Sequence, residues 1–193
     1  MGVTLVSGVP GVGTSAVCET ARRQLDDGYE LVNFGDIMLE QAAANGLATE
    51  REQLPELSLR ETRRLQRRAA EYVADRAGVR ELLVTTYLAA ETDEGYLPGL
   101  PESALADVAP ERFVLVEAAP ATILERRSQA PRSYERSPTE REVAFQQDLN
   151  RAAAVSYALR TGAPVQLLEN TGSVEDAAEQ LAGTLRAAAG RSG

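Results

Sequence analysis

The sequence predicts an α/β fold in which a five-stranded parallel sheet carries helices on both faces. Two observations support this prediction. Short apolar runs rich in Val and Leu alternate with longer stretches whose apolar residues recur at helical spacing. Strands that alternate with helices favour a parallel sheet, and such a sheet is covered on both faces. The 193 residues contain no linker-like segment, so we expect one domain spanning 1–193.

Each strand is predicted from a short, mostly apolar run bounded by turn residues or by a helical stretch. The predicted strands cover residues 3–7, 29–34, 81–87, 113–119 and 164–170. Between the third and fourth runs, the segment around Pro98 and Pro101 predicts a turn followed by a short helix.

Helices are predicted where apolar residues recur every three or four positions. They cover about 14–26, 35–45, 51–77, 121–127, 139–160 and 174–189. Asp36 is the expected N-cap of the second helix and Ser173 that of the last, because short polar side chains can accept from the free N–H groups of a first turn. A loop rich in Arg, Ser and Pro, at 128–138, separates the predicted helices at 121–127 and 139–160.

A glycine-rich segment follows the first strand directly. Its residues are Gly8, Val9, Pro10, Gly11, Val12, Gly13, Thr14 and Ser15. Glycines let the backbone curl around an anion with its N–H groups inward, and the following helix adds partial positive charge. The pattern matches the phosphate-binding P-loop, except that Thr14 stands where Lys is usual. We expect a P-loop NTPase-type cradle in which Ser15 reaches Mg²⁺; the alternative is a plain turn from strand to helix.

The charged residues exclude several kinds of site. All 20 basic residues are Arg, and the chain has no His. Ser-His-Asp and Cys-His catalysis are therefore excluded, as are zinc sites that use His. The net charge of −9 and the few aromatic residues argue against a nucleic-acid-binding module. The single cysteine, Cys18, cannot form an internal disulfide, and we expect it to be buried in a helix.

The sequence also indicates where the chain works. No apolar run approaches the roughly 18–20 residues that a membrane span needs. The first residues, MGVTLVSG, lack the basic region of a signal peptide. We therefore expect a cytoplasmic protein.

Four segments together resemble one family, the archaeal-type adenylate kinases. They are GVPGVG (8–13), VNFGDIML (32–39), GYLPGLP (95–101) and NRAAAVSYALRTGA (150–163), in the family's order and spacing. The resemblance spans essentially the whole chain. It implies a five-stranded parallel sheet with a small arginine-containing lid, usually assembled as trimers. The implied reaction moves a phosphoryl group from MgATP to AMP and gives two ADP.

The resemblance also implies roles for particular residues. Gly8 to Ser15 would hold the ATP phosphates, and Asn33, Phe34 and Gly35 would begin the monophosphate side within a helical region at about 35–78. Arg126 resembles the arginine that lies over the ATP adenine or phosphates. Arg132 and Arg136 fall in the lid loop at about 128–138, and Arg151 resembles the arginine after the lid that faces both phosphate groups.

The sequence departs from the family pattern in three segments. Besides Thr14, the family's Asp-Thr-His after the third strand is Thr85-Thr86-Tyr87, and an arginine thought to face AMP aligns with Pro55. Glu117 is retained and is the nearest carboxylate candidate for the metal side, although a structural role is also open. Two functions therefore remain open: an adenylate kinase or close nucleoside-monophosphate kinase, or an ATP-binding relative with little or no activity that serves as a regulator or scaffold.

Overall fold

The computed structural model describes residues 2–25, 27–92, 95–129 and 138–189. Its strands are β1 (Val3–Ser7), β2 (Tyr29–Asn33), β3 (Glu81–Thr85), β4 (Ala89–Thr92), β5 (Gly95–Pro98), β6 (Arg112–Glu117) and β7 (Val165–Glu169). Its helices are α1 (Thr14–Gln24), α2 (Phe34–Ala44), α3 (Leu59–Ala77), α4 (Glu102–Val108), α5 (Pro120–Gln129), α6 (Glu140–Thr161) and α7 (Val174–Ala189), and a 3-10 helix spans Arg51–Glu56.

Five strands form one parallel sheet in the order β2-β3-β1-β6-β7, as the sequence predicted. The strand β1 is central, with β3 on one side and β6 on the other. The chain therefore adds β2 and β3 to one side of β1 before it crosses to the other side for β6 and β7. In sheets of this kind, ligands bind at the carboxyl ends of the strands where the strand order reverses, which here is the end of β1.

Helices cover both faces of the sheet because successive side chains of each strand point to opposite faces. On one face, Leu5 and Phe113 pack with α2, α3, α4 and the second half of α6. On the other face, Val6 and Val114 pack with α1, α5 and α7. Cys18 of α1 lies in the second core, as expected, and burial raises the pKa of its thiol to about 12.

The sequence prediction missed a β-hairpin. The strands β4 and β5 pair antiparallel through Ala89↔Pro98 and Thr92↔Gly95, where only a turn was expected. Each strand has four residues, too few to show the alternation that distinguishes a strand. The short helix expected after this segment is α4.

The helical prediction for 51–77 was only partly right. A 3-10 helix at Arg51–Glu56, which contains Pro55, ends before α3 begins at Leu59. The break lies at Ser58, whose side chain forms a capping box with Glu61 and so starts a new helix. No helix in the described ranges is long and apolar enough to span a membrane.

The N-cap of α2 is Asn33, not Asp36. The Asn33 Oδ1 atom accepts from the backbone N–H groups of Gly35 (3.0 Å) and Asp36 (3.3 Å). Asn33 also ends β2, so one residue closes the strand and opens the helix without a loop. The sequence prediction extended the strand through Phe34, which instead is the first residue of α2 and is buried. The cap predicted at Ser173 is confirmed, because its Oγ accepts from the Asp176 N–H at 3.1 Å.

Candidate functional site

The glycine-rich loop lies at the point that the strand order favours for ligands. It leaves the carboxyl end of β1 and enters α1, whose N-cap is Gly13. Two backbone features require glycine in this turn: Gly11 has φ +82° and Gly13 has φ +96°, in the region that side chains disfavour. A Cβ on Gly13 would also lie 2.7 Å from Asn170 Nδ2. The predicted curled loop at the start of a helix is therefore present.

The loop's backbone carbonyls and N–H groups differ in whether they have partners within the protein. The carbonyls of Val9, Pro10, Val12 and Gly13 all accept hydrogen bonds from the protein. In contrast, the N–H groups of Gly11, Gly13, Thr14 and Ser15 have no acceptor among the described residues. Free N–H groups gathered at a helix N-terminus form an anion site. This arrangement fits a phosphate group.

Two side chains from other elements hold the Val12 carbonyl oxygen. Arg126 of α5 donates to it at 3.1 Å and also to the Asn170 carbonyl oxygen at 3.0 Å. Asn170, just after β7, donates its Nδ2 to the same Val12 oxygen at 2.8 Å and is buried. Arg126 therefore ties the loop to the end of β7, whereas the sequence prediction gave it only a nucleotide contact.

Sequence reasoning missed both Asn170 and Arg127. Asn170 follows the last strand at the ligand-binding edge of the sheet, and that position was the available signal. Arg127, next to Arg126, is buried, and its Nε donates to the Pro10 carbonyl oxygen at 2.7 Å. Nothing in the local sequence distinguishes a buried arginine from an exposed one at the end of an amphipathic helix.

Thr14 and Ser15 occupy the first turn of α1. The Thr14 hydroxyl is buried and has no hydrogen-bond partner within the described part of the chain, whereas the Ser15 side chain is exposed. Mg²⁺ in phosphate sites usually takes one or two protein ligands and completes its shell with phosphate oxygens and water. The exposed Ser15 hydroxyl fits that demand. No cluster of three His, Cys, Asp or Glu side chains suited to a metal occurs in the ranges that the structure describes.

A second part of the site is a cleft of about 390 Å³ at the carboxyl ends of β6 and β7. Arg151 of α6 and Glu117 of β6 line it and form a bidentate pair, Nε to Oε1 at 2.7 Å and Nη2 to Oε2 at 2.6 Å. Arg151 Nη1 also donates to Asp148 at 2.9 Å. The hydrogen bonds to Glu117 raise the pKa of Arg151 above its ordinary value. Glu117 is thus bound to an arginine rather than free for a metal.

The residues after β3 place no carboxylate beside the loop. Thr85 is buried and its hydroxyl donates to the Val32 carbonyl oxygen at 3.5 Å. The register pairs Thr85 with Val6 of β1, so the family's Asp would lie next to the strand that leads into the loop. Tyr87 is exposed. Thr85 therefore supplies no carboxylate at this edge of the sheet.

The residues predicted for the monophosphate side lie together at the start of α2. The Asn33 side chain is used as the helix cap, the Phe34 ring is buried, and the Gly35 N–H is bonded to Asn33. Arg51 of the 3-10 helix forms an ion pair with Asp36 in the same turn. Exposed arginines at the beginning of α3, including Arg60 and Arg63, belong to the same helical region.

Arg132 and Arg136 lie outside the described residues. The predicted loop 128–138 is described only at its ends, up to Gln129 and from Pro138. Its base is held together by a hydrogen bond from Arg127 Nη2 to Gln146 Oε1 at 3.0 Å, which joins α5 to α6.

Comparisons with known proteins agree with this geometry. A family model described as an AAA domain matches residues 7–144. The adenylate kinase of Methanopyrus kandleri is 39% identical over 190 residues, which cover 95% of this chain and 97% of that protein. The adenylate kinase of Thermococcus onnurineus is 35% identical over 190 residues and covers 97% of both chains.

Solved structures show the same fold at low sequence identity. The shikimate kinase from Acinetobacter baumannii in complex with shikimate aligns with a TM-score of 0.62 at 13% identity, covering 97% of this chain and 94% of that one. At this identity, the likeness extends to the fold alone.

Proposed function

Since the chain belongs to the adenylate kinase family, we propose that it transfers a phosphoryl group from MgATP to AMP and gives two ADP. The family assignment rests on identities of 35–39% over nearly the whole chain, and it confirms the resemblance that the four motifs indicated. The chain is thus an enzyme of the nucleoside-monophosphate kinase class. The observation that carries the proposed chemistry is the loop at 8–15, whose N–H groups without an acceptor among the described residues lie just before and at the start of α1.

In this proposal the ATP phosphates lie in the loop. The N–H groups of Gly11, Gly13, Thr14 and Ser15 donate to phosphate oxygens, and the α1 N-terminus adds its partial positive charge. Ser15 would hold Mg²⁺, which would supply charge neutralisation at the phosphates when bound. The amide cradle does not depend on a lysine, so Thr14 is compatible with nucleotide binding.

Arginines supply the charge that phosphoryl transfer needs. The transfer depends mainly on positioning and electrostatic stabilisation, and guanidinium groups contact phosphate oxygens in pairs. Arg126 is already anchored to the loop through Val12. We propose that Arg132 and Arg136 close over the transferring group from the lid at about 128–138, and that Arg151 exchanges Glu117 for phosphate when substrates bind.

The AMP side is proposed at the start of α2, within the helical region at about 35–78. Asn33 to Gly35 would contact AMP through the backbone, since the Asn33 side chain already caps α2. A positive group near AMP would come from Arg51, Arg60 or Arg63, because Pro55 occupies the position of the family's arginine. Arg51 lies beside this turn: its Nη1 would be 3.7 Å from a Cβ added to Gly35.

We further propose that the chain acts as a homo-oligomer, a trimer by family resemblance. Apolar side chains are exposed on α6 and on the edge strand β7, including Leu159 (84% exposed) and Leu167 (65% exposed). α6 packs against β7, and Leu167 is in register with the core residue Leu115. An exposed edge strand with apolar neighbours favours pairing with another copy.

The alternative function is an ATP-binding relative with little activity, which the departures at Thr85 and Pro55 favour. A coupled assay for ADP formation from ATP and AMP, run in low and molar salt, separates the two. Turnover that requires both nucleotides supports the kinase. If calorimetry detects ATP binding but neither salt condition gives ADP, the kinase proposal fails and the binding role stands.

A further inference from the structure

Arg127 is a charged side chain buried beside the phosphate loop, with 6% of its surface exposed. It lies in the last turn of α5, next to Arg126. A buried guanidinium destabilises a protein unless its N–H groups are hydrogen-bonded. The groups that the buried guanidinium contacts therefore indicate its role.

The contacts of Arg127 are with the loop and with the start of α6. Its Nε donates to the Pro10 carbonyl oxygen at 2.7 Å, and its Nη2 donates to Gln146 Oε1 at 3.0 Å. Its aliphatic stem covers Gly11 so closely that a Cβ on Gly11 would lie 2.6 Å from Arg127 Cγ. Proline has no N–H, so its carbonyl is its only backbone polar group. Arg127 holds that group.

The position of the Pro10 carbonyl decides where the next N–H points. In a trans peptide, the carbonyl of one residue and the N–H of the next point in opposite directions. Because Arg127 holds the Pro10 carbonyl, the Gly11 N–H points the opposite way, away from Arg127, within the same peptide plane. Arg126 and Asn170 hold the Val12 carbonyl in the same way, which orients the Gly13 N–H.

We propose that Arg127 is a positioning residue that orients the Gly11 N–H toward the bound phosphate before the ligand arrives. This rests on the proposed function, in which the ATP phosphates lie in the loop. Gln146 holds the guanidinium in place, and its own Nε2 donates to Glu91 at 3.1 Å. Preorganised donors bind more tightly because no ordering cost remains to be met on binding.

The test measures binding of ATP and of inorganic tripolyphosphate by calorimetry. Arg127→Met should weaken both about tenfold, the size expected for losing a charged hydrogen bond. The Gly11 amide should exchange its hydrogen faster in the variant. AMP affinity should stay within about twofold, whereas general loosening of the fold would lower it too. The matched control is Arg160→Met on α6, an arginine whose surface ion pair is with Glu102 and which should leave all three affinities unchanged.

A second pair of variants covers the case in which Arg127→Met does not fold. Gln146→Met removes an acceptor of Arg127, whereas Gln146→Glu retains one, so only the first should weaken tripolyphosphate binding. If either Arg127→Met or Gln146→Met binds tripolyphosphate as tightly as the wild type and Gly11 exchange is unchanged, the positioning role is wrong. If the wild-type chain binds tripolyphosphate but forms no ADP from ATP and AMP, the kinase proposal fails. The positioning role of Arg127 is then unaffected.

Discussion

At the residue scale, the phosphate loop works through its backbone. Thr14 stands at the seventh position of the loop, where lysine is usual. Its hydroxyl is buried without a hydrogen-bond partner in the described part of the chain. The carbonyls are held by Arg126, Arg127 and Asn170, which leaves the N–H groups for the ligand. In the proposed function, side-chain charge therefore reaches the phosphates from neighbouring elements rather than from the loop.

Thr14→Lys is expected to tighten ATP binding about tenfold, because a lysine here points at the terminal phosphates and adds a favourable charge. The substitution breaks no side-chain hydrogen bond of Thr14 within the described residues. Calorimetric titration with ATP measures the change. Thr20→Lys adds the same charge to α1 farther from the loop and should have little effect. Equal affinity in Thr14→Lys and the wild type would contradict the charge argument.

Arg151→Ala is expected to lower turnover at least about a hundredfold, the usual effect of removing a group that stabilises developing charge. ATP affinity should change by less than about tenfold, or 1.4 kcal/mol, because other groups bind the ground state. Steady-state kinetics and calorimetry give the two quantities. Arg160→Ala, on the same helix but paired with Glu102, is the control. A large loss of ATP affinity would instead assign Arg151 to ground-state binding.

At the scale of elements, the segment between β3 and α4 is fastened by side chains from helices on either side of it. Tyr157 of α6 accepts from the Leu100 N–H at 3.1 Å and donates to the Leu100 carbonyl at 2.9 Å. Gln66 of α3 donates to the Pro98 and Gly99 carbonyls. Gly99 needs to be glycine, because a Cβ there would lie 1.6 Å from the Tyr87 carbonyl oxygen. The GYLPGLP motif is thus where α3, α6 and the hairpin meet.

Tyr157→Phe is expected to lower the free energy of unfolding by about 1–3 kcal/mol, because it leaves the buried Leu100 N–H without its partner. Chemical denaturation measures this free energy, with the same slope against denaturant concentration expected for the variant and the wild type. Tyr72→Phe on α3 removes a hydroxyl from an exposed ring and serves as the control. Equal stability of the two variants would show that the Tyr157 hydroxyl contributes nothing to the fold.

At the scale of the whole molecule, the strand order brings the parts of the site together. The loop follows the central strand β1. On one side of it lie Glu117, at the end of β6, and Arg151, in the middle of α6; on the other side, Asn33 and Thr85 end their strands. The ATP and AMP sides proposed here thus belong to opposite sides of β1. The exposed apolar side chains lie on α6, which covers one face of the sheet, and on β7, its edge strand, where we propose that another copy binds.

Leu159→Glu is expected to dissociate the proposed oligomer, because a carboxylate would lose its water at the interface without a partner. Light scattering across a concentration series gives the mass. The control is Leu59→Glu, which places the same charge on an exposed apolar position of α3. A wild-type chain that is monomeric at every concentration, or a Leu159→Glu variant of unchanged mass, would refute this interface.

Much of the fold was predictable because it follows from local patterns. The five strands of the parallel sheet and the helices around them came from apolar periodicity, and the loop came from glycine spacing. The hairpin at 89–98 and the break at Ser58 were missed, since each is decided by only a few residues. The cap at Asn33 was assigned three residues too late, because which polar side chain reaches the N–H groups depends on where the strand ends.

The glycine loop after the first strand, the absence of histidine chemistry and the reliance on arginine for positive charge could be read from the sequence. They depend on residue types and on neighbours along the chain. Three contacts of the site required the folded structure: Arg127 is buried against Pro10, Asn170 holds Val12, and Arg151 pairs with Glu117. Those contacts join residues far apart in the chain, and their partners become neighbours only when parallel strands bring their carboxyl ends to one edge of the sheet.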